Sequence, residues 1–324
     1  MNQPQPQSAP VPTDAIEPAG QHAQPGPQDA AYPPGLPGPP RRSATGRVLT
    51  TVGVLIAVVV VGFAALFLVD LTMSQTTTTQ RSYDAVGSVE LVADGDVTVH
   101  AADGGVEVDA IAHSGLRQPT YSVDESASRL EITHRCGWSI ALPRCSGELD
   151  VTVPTGTKVV IRTENGDVVA SGLAGDVSLR TGNGDIETSD LAGALTAHSS
   201  NGDIDVRDSA ADVDTDTSSG DVTVTDVDGT VTAVTSSGEI TIDSVTGDAS
   251  ADTSNGGVEI SAVDGNVDSD SSNGAITVIG DDEPVALTIR TSNGDEIIEG
   301  PTDPGAERTV EIRSSNGDVA YLGR

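Results

Sequence analysis

The chain has 324 residues, a net charge of −33 and only 2% aromatic residues. That charge repels nucleic acid and anionic lipid and attracts cations or basic partners, so binding to a nucleic-acid backbone is excluded. So few large rings also argue against a compact enzyme-like core, and favour a thin core of Val, Ile, Leu, Ala and Thr.

The charge is uneven. Residues 1–72 hold three basic and four acidic residues, which leaves 13 basic against 45 acidic residues for the remainder, a net −32. No Lys or Arg occurs between Arg207 and Arg290.

Residues 1–46 carry twelve of the eighteen prolines among Gln, Ala and Gly. Such a segment cannot bury enough apolar surface to order itself, and it reads as a disordered cytoplasmic tail. The apolar run VLTTVGVLIAVVVVGFAALFLVDL follows, and a transmembrane helix is predicted over 47–71. About 24 helical residues at about 1.5 Å each reach about 36 Å, enough to cross a bilayer core of about 30 Å with some tilt. Arg41, Arg42 and Arg47 precede the run and the next basic residue is Arg81, so the positive-inside bias places the N-terminus in the cytoplasm and the rest outside. The run is longer than the apolar core of a signal peptide, and LVDLTMSQ lacks a small-x-small cleavage site, which favours an uncleaved anchor.

Residues 72–82 (TMSQTTTTQRS) read as a polar linker. From 83 to 162 the chain is strand-rich, with period-two alternation in SVELVADGDVTVHA, GGVEVDAIAHS, RLEITHR, GELDVTV and TKVVIRT. Cys136 and Cys145 are the only cysteines. The topology puts both in an oxidising compartment, where a disulfide between them is predicted to add roughly 2–3 kcal/mol.

From 163 to 324 the chain repeats. Gly166, Gly184, Gly202, Gly220, Gly238, Gly256 and Gly274 recur every 18 residues in units such as TENGDV, SSNGDI and TSSGEI, and Gly294 and Gly317 follow at intervals of 20 and 23. Fixed self-similarity signals a solenoid. Each unit reads as strand, Asn-Gly turn, strand and a weaker second turn, as in VDGTV. Alternation puts Ile204, Val206, Val213 and Thr215 inward. The recurring glycine suits a turn with positive φ. The Asn or Ser before it can bond the next rung's turn. GDDEPVAL and EGPTDPGAER read as surface insertions into intact rungs.

These residues resemble the bacterial DUF4097 family, grouped as adhesins with β-strand repeats. The likeness covers roughly residues 83–324 and rests on the repeated S/T-x-N-G-D-I units and their companion G-x-V turns. It implies an all-β, right-handed parallel β-solenoid (β-helix or β-roll), here with 18-residue rungs behind one transmembrane helix. It also implies an envelope location, and it supplies no catalytic residues to carry over.

Two chemistries are weighed on the residues themselves. His100, His113, His134 and His198 are isolated in sequence and no Ser-His-Asp or G-x-S-x-G arrangement stands out, so no catalytic or cofactor-binding residue is assigned. Asp167, Asp185, Asp203, Asp221 and Glu239 share one repeat position. Stacked about 5 Å apart, they offer either a divalent-cation ladder or a solvated acidic face on which each Asp caps its own turn. The expected function is a non-catalytic structural or adhesive surface module, with a cell-wall polymer or envelope protein as partner. The alternative is an accessory or sensor protein in envelope-stress signalling.

Overall fold

A computed structural model describes residues 44–72, 75–115, 117–137 and 145–324. The Pro-rich tail through Ser43, and Trp138 to Arg144 between the cysteines, lie outside the described residues.

A helix spans Ala44–Thr72, and its most apolar window, Thr51–Val69, is entirely exposed. The other elements are strands in two sheets of 13 and 12 strands. In each repeat rung a strand of the second sheet turns at the Gly position into a strand of the first sheet. Leaving out three antiparallel strands (Gln75–Tyr83, Val106–Ser114 and Thr120–Glu125), each sheet contributes eleven parallel strands, one per rung. At about 4.8 Å per rung the stack is about 48 Å long.

Alternation along each strand makes the core. Ile204, Val206, Val213 and Thr215 are all buried, as the sequence predicts, and Ile186, Val222 and Ile240 continue one of those columns in register on neighbouring rungs. Most of the buried Thr and Ser hydroxyls beside the turns have partners, while Thr188 Oγ1 and Ser269 Oγ have none among the described residues. Thr181 Oγ1 donates to the Gly166 carbonyl at 2.9 Å, Ser199 Oγ to Gly184 and Thr217 Oγ1 to Gly202 at 3.0 Å, and Thr235 Oγ1 to Gly220 at 3.1 Å. A buried hydroxyl without a partner would cost a few kcal/mol, so this pairing lets Thr and Ser share a thin core with Val.

Four sequence expectations need correction. The solenoid does not begin at residue 163: sheet pairing runs without a break from Ser88, so 83–162 and 163–324 form one stack. Residues 72–82 are not simply a linker, because Gln75–Tyr83 is an edge strand antiparallel to Val106–Ser114. Thr-rich chain suits a strand by its β-branching, but with almost every residue exposed it carries no apolar alternation to reveal it.

The recurring glycines, Gly317 apart, are not at positive φ. They are required by closeness: a Cβ on Gly220 would run into the Gly202 carbonyl of the rung below. Positive φ falls instead at a corner inside six successive rungs, at Gly172, Asp190, Asp208, Asp226, Ser244 and Ala262, again 18 apart. There the chain places one extra residue outward, so that Thr188 and Leu191, three apart, both point into the core.

The two late loops are crossovers. After Val267–Asn273 and Ile276–Ile279 the chain leaves one rung position empty and builds Ala286–Asn293 and Glu296–Ile298 beyond it. It then returns to fill the gap with Thr309–Asn316 and Val319–Leu322, which pair on both sides. The other end does the same. The rung of Arg129–Arg135 and Cys145–Val153 lies outside that of Ser88–Ala93 and Val97–Ala101, which the chain passes again to reach Lys158–Arg162.

Candidate functional site

The aligned carboxylates fall into place first. Asp167, Asp185, Asp203, Asp221 and Glu239 form one exposed column at the turn. Each of the first four spends an oxygen on the next rung. The N–H groups of Asp185 and Asp203 donate to Asp167 Oδ1 and Asp185 Oδ1 at 2.9 Å. Those of Asp221 and Glu239 donate to Asp203 Oδ1 and Asp221 Oδ1 at 2.8 Å. The carboxylate therefore caps its neighbour's backbone rather than its own turn. An ionised acceptor makes this a charge-assisted bond, which offsets part of the repulsion between adjacent acids. Among the described residues no three His, Cys, Asp or Glu side chains cluster closely enough to hold a metal ion.

Beside this column runs an amide ladder. Asn183 Nδ2 donates to Asn165 Oδ1 and Asn201 Nδ2 to Asn183 Oδ1, both at 3.0 Å. Ser219 and Ser237 interrupt it. It resumes where Asn273 Nδ2 donates to Asn255 Oδ1 at 3.1 Å.

The structure joins Cys136 and Cys145 in a disulfide with Cα atoms 6.0 Å apart, linking the two strands of the outermost rung at one end. Each of the four histidines among the described residues has a neighbour that the sequence did not reveal. His113 Nε2 lies 2.7 Å from Glu148 and His198 Nδ1 lies 3.1 Å from Asp216. His134 Nδ1 donates to the Glu148 carbonyl at 3.1 Å. His100 Nδ1 and Ser171 Oγ are 2.7 Å apart on an outer face, but no carboxylate among the described residues orients that ring. The pair lacks the third member of a nucleophile–base arrangement.

One feature escapes a reading of the sequence in segments. Arg162, Arg180, His198 and Asp216 are 18 apart and form a column across the outer face of the second sheet. With Arg135 the two arginines line a groove of about 480 Å³, floored by Asn165, Asn183 and neighbouring backbone. Arg162 and Arg129 share Glu90, Arg135 pairs with Glu164, and Lys158 Nζ lies 3.9 Å from Asp176. The Arg180 guanidinium has no hydrogen-bond or ion-pair partner among the described residues. Further along the same column stand Asp252 and Asp270, so this face changes sign along its length. The repeat period itself, applied to the basic residues, is the signal that would have found the groove.

The family model for DUF4097, described as Toastrack, matches residues 81–210 and 188–321. The chain belongs to the DUF4097 family. This DUF4097 chain is also similar to solved structures, at low identity. A "putative adhesin" of Bacteroides fragilis NCTC 9343 is 14% identical, with 77% of this chain and 97% of that one covered and a TM-score of 0.40. A "putative lipid binding protein" of Parabacteroides distasonis ATCC 8503 is 12% identical, with 76% and 96% covered and a TM-score of 0.36. A "putative adhesin" of Parabacteroides merdae ATCC 43184 is 11% identical, with the same shares covered and a TM-score of 0.28. No curated protein matches the chain.

Proposed function

We propose that this protein is a single-pass membrane protein with a cytoplasmic N-terminus, whose β-stack stands outside the cell as a non-catalytic structural or adhesive module. One observation carries the reading. A fully exposed, 19-residue apolar helical window is followed within a few residues by a solenoid whose outer faces are rows of Thr, Ser and Asp. An exposed apolar helix of that length needs a bilayer to cover it. A stack whose turn carboxylates and buried hydroxyls are mostly committed to holding neighbouring rungs together suits a rigid spacer that displays a surface. The partner this supports is a cell-wall polymer or an envelope protein met across a broad face.

Two measurements on intact cells test it. Protease added to wall-stripped cells should degrade the repeats and spare an N-terminal tag. The full chain should co-sediment with purified wall material. Release of the repeats with a new N-terminus near residue 72 would reject the anchor. Failure to sediment with the wall would leave the signalling role as the better account.

A further inference from the structure

We infer that the groove lined by Arg135, Arg162 and Arg180 binds a compact polyhydroxylated ligand bearing a single oxyanion, a phosphate or a carboxylate. Three observations lead there. First, five of the 13 Lys and Arg residues beyond residue 72 (Arg129, Arg135, Lys158, Arg162 and Arg180) gather at this end of one face, although the chain carries −33 overall. Random placement on an acidic solenoid would spread them among the acids.

Second, the cluster is not used up by its own ion pairs. Arg180 lies in register with Arg162 on one side and His198 on the other, about 4.8 Å per strand, and pairs neither with Glu164, the one acid lining the groove, nor with Glu90 beside it. Two guanidinium groups stacked at that distance repel, and an oxyanion between them relieves the repulsion while accepting bidentate hydrogen bonds from planar forks. Asn165 adds a donor. It begins the amide ladder, so its Oδ1 accepts from Asn183 at 3.0 Å while its own amide group has no neighbour of that kind below it.

Third, size and field limit the ligand. A groove of about 480 Å³ lies in the range of ligand sites rather than of single ions. The surrounding −32 repels long polyanions and anionic bilayers, so the ligand carries few charges on a neutral body. Ser200 on the groove wall suits a hydroxyl group rather than an apolar one.

The test uses the full chain in neutral detergent micelles at 0.1 M salt, with sn-glycerol 3-phosphate, glucuronate, uncharged glycerol and tripolyphosphate titrated by calorimetry. Wild type should bind at least one of the two probes that carry a single anionic group with millimolar affinity or better, and which one binds distinguishes phosphate from carboxylate. Glycerol should not bind, and tripolyphosphate should bind no better than the probe with one anionic group. Arg180→Ala should weaken binding at least fivefold with unchanged melting temperature. Arg290→Ala, which removes another unpaired arginine at the far end of the same face, should leave it unchanged. Equal loss in the two variants, tripolyphosphate binding far more tightly than either probe, or no binding by wild type would overturn the assignment.

Discussion

Two glycines look alike in sequence and do different work. Gly220 is held by contact, because its neighbour's carbonyl leaves no room for a side chain, whereas Gly172 sits at φ 71° with only an ordinary contact to Ala101. At the equivalent corner Ala262 takes φ 52° with a Cβ that disfavours it. A non-glycine residue in that region costs about 1–2 kcal/mol, partly offset by the entropy that glycine loses. Ala262→Gly should therefore stabilise by roughly 0.5–1 kcal/mol and Gly172→Ala destabilise by a similar amount, while Gly220→Ala should cost well above either, all read by chemical denaturation. Single carboxylates also differ. Burial alone would raise Asp281, but the Glu283 N–H and the Arg308 guanidinium, 2.8 Å away, outweigh it and hold the carboxyl below the usual range. Its contribution is complete above the 3.8 of a free aspartate and fades as pH falls through the depressed value. The gap in melting temperature between wild type and Asp281→Asn should be widest near neutrality and close on acidification; a gap that widens in acid would contradict this. Asp270 runs the other way. Burial raises it more than Arg313 lowers it, so its ionisation weakens the fold at neutral pH.

Among the elements, the returning C-terminal strands give the sharpest expectation. In an ordinary solenoid, removing the last segment costs one terminal rung. Here Thr309–Asn316 and Val319–Leu322 lie between two rungs, and the buried ring of Tyr321 packs against Gly280 and Gly300. Deleting residues 309–324 should strip amide-exchange protection from Ala286–Ile298 as well, because those strands lose their neighbours on both sheets; protection retained there would mean the order is wrong. At the other end, replacing Cys136 and Cys145 by Ser should cost roughly 2–3 kcal/mol in the chain-entropy picture, read as a lower melting temperature under non-reducing conditions. Legibility follows the same divide. Rung length, inward positions and the Asn ladder were readable, because period 2 within strands and period 18 between rungs act on every copy alike. The swapped order was not, since a skipped rung leaves only longer spacings at Gly294 and Gly317, which look like insertions. The corner residues were hidden because Gly172, Asp190, Ser244 and Ala262 share a backbone conformation but no side chain. The arginine groove was hidden because Arg162 and Arg180 stand apart in sequence and meet only through stacking.

For the whole stack the governing quantity is a charge of −32 beyond residue 72. Two carboxylates about 5 Å apart repel by roughly 0.8 kcal/mol in bulk water, and the repulsion falls once the Debye length shortens to about 10 Å at 0.1 M salt. Salt should therefore raise the melting temperature. Calcium would do more only if it found sites. A calcium shell takes six to eight oxygens, whereas each turn along Asp167, Asp185, Asp203 and Asp221 offers one carboxylate with one oxygen already accepting an N–H from the next rung. Binding there would have to rely on the one remaining oxygen of each carboxylate. The expectation is that calcium and sodium at matched ionic strength shift melting by similar amounts. Asparagine at Asp185 and Asp203 tests the same balance from within, because its amide oxygen keeps the backbone cap while the charge is removed. The Asp185→Asn, Asp203→Asn variant should melt at or slightly above wild type in low salt, with the advantage shrinking as salt rises. Alanine at both positions, which removes the cap as well, should lower stability by about 1 kcal/mol per site. A calcium-specific rise at constant ionic strength that the asparagine variant abolishes would show instead that these columns hold metal.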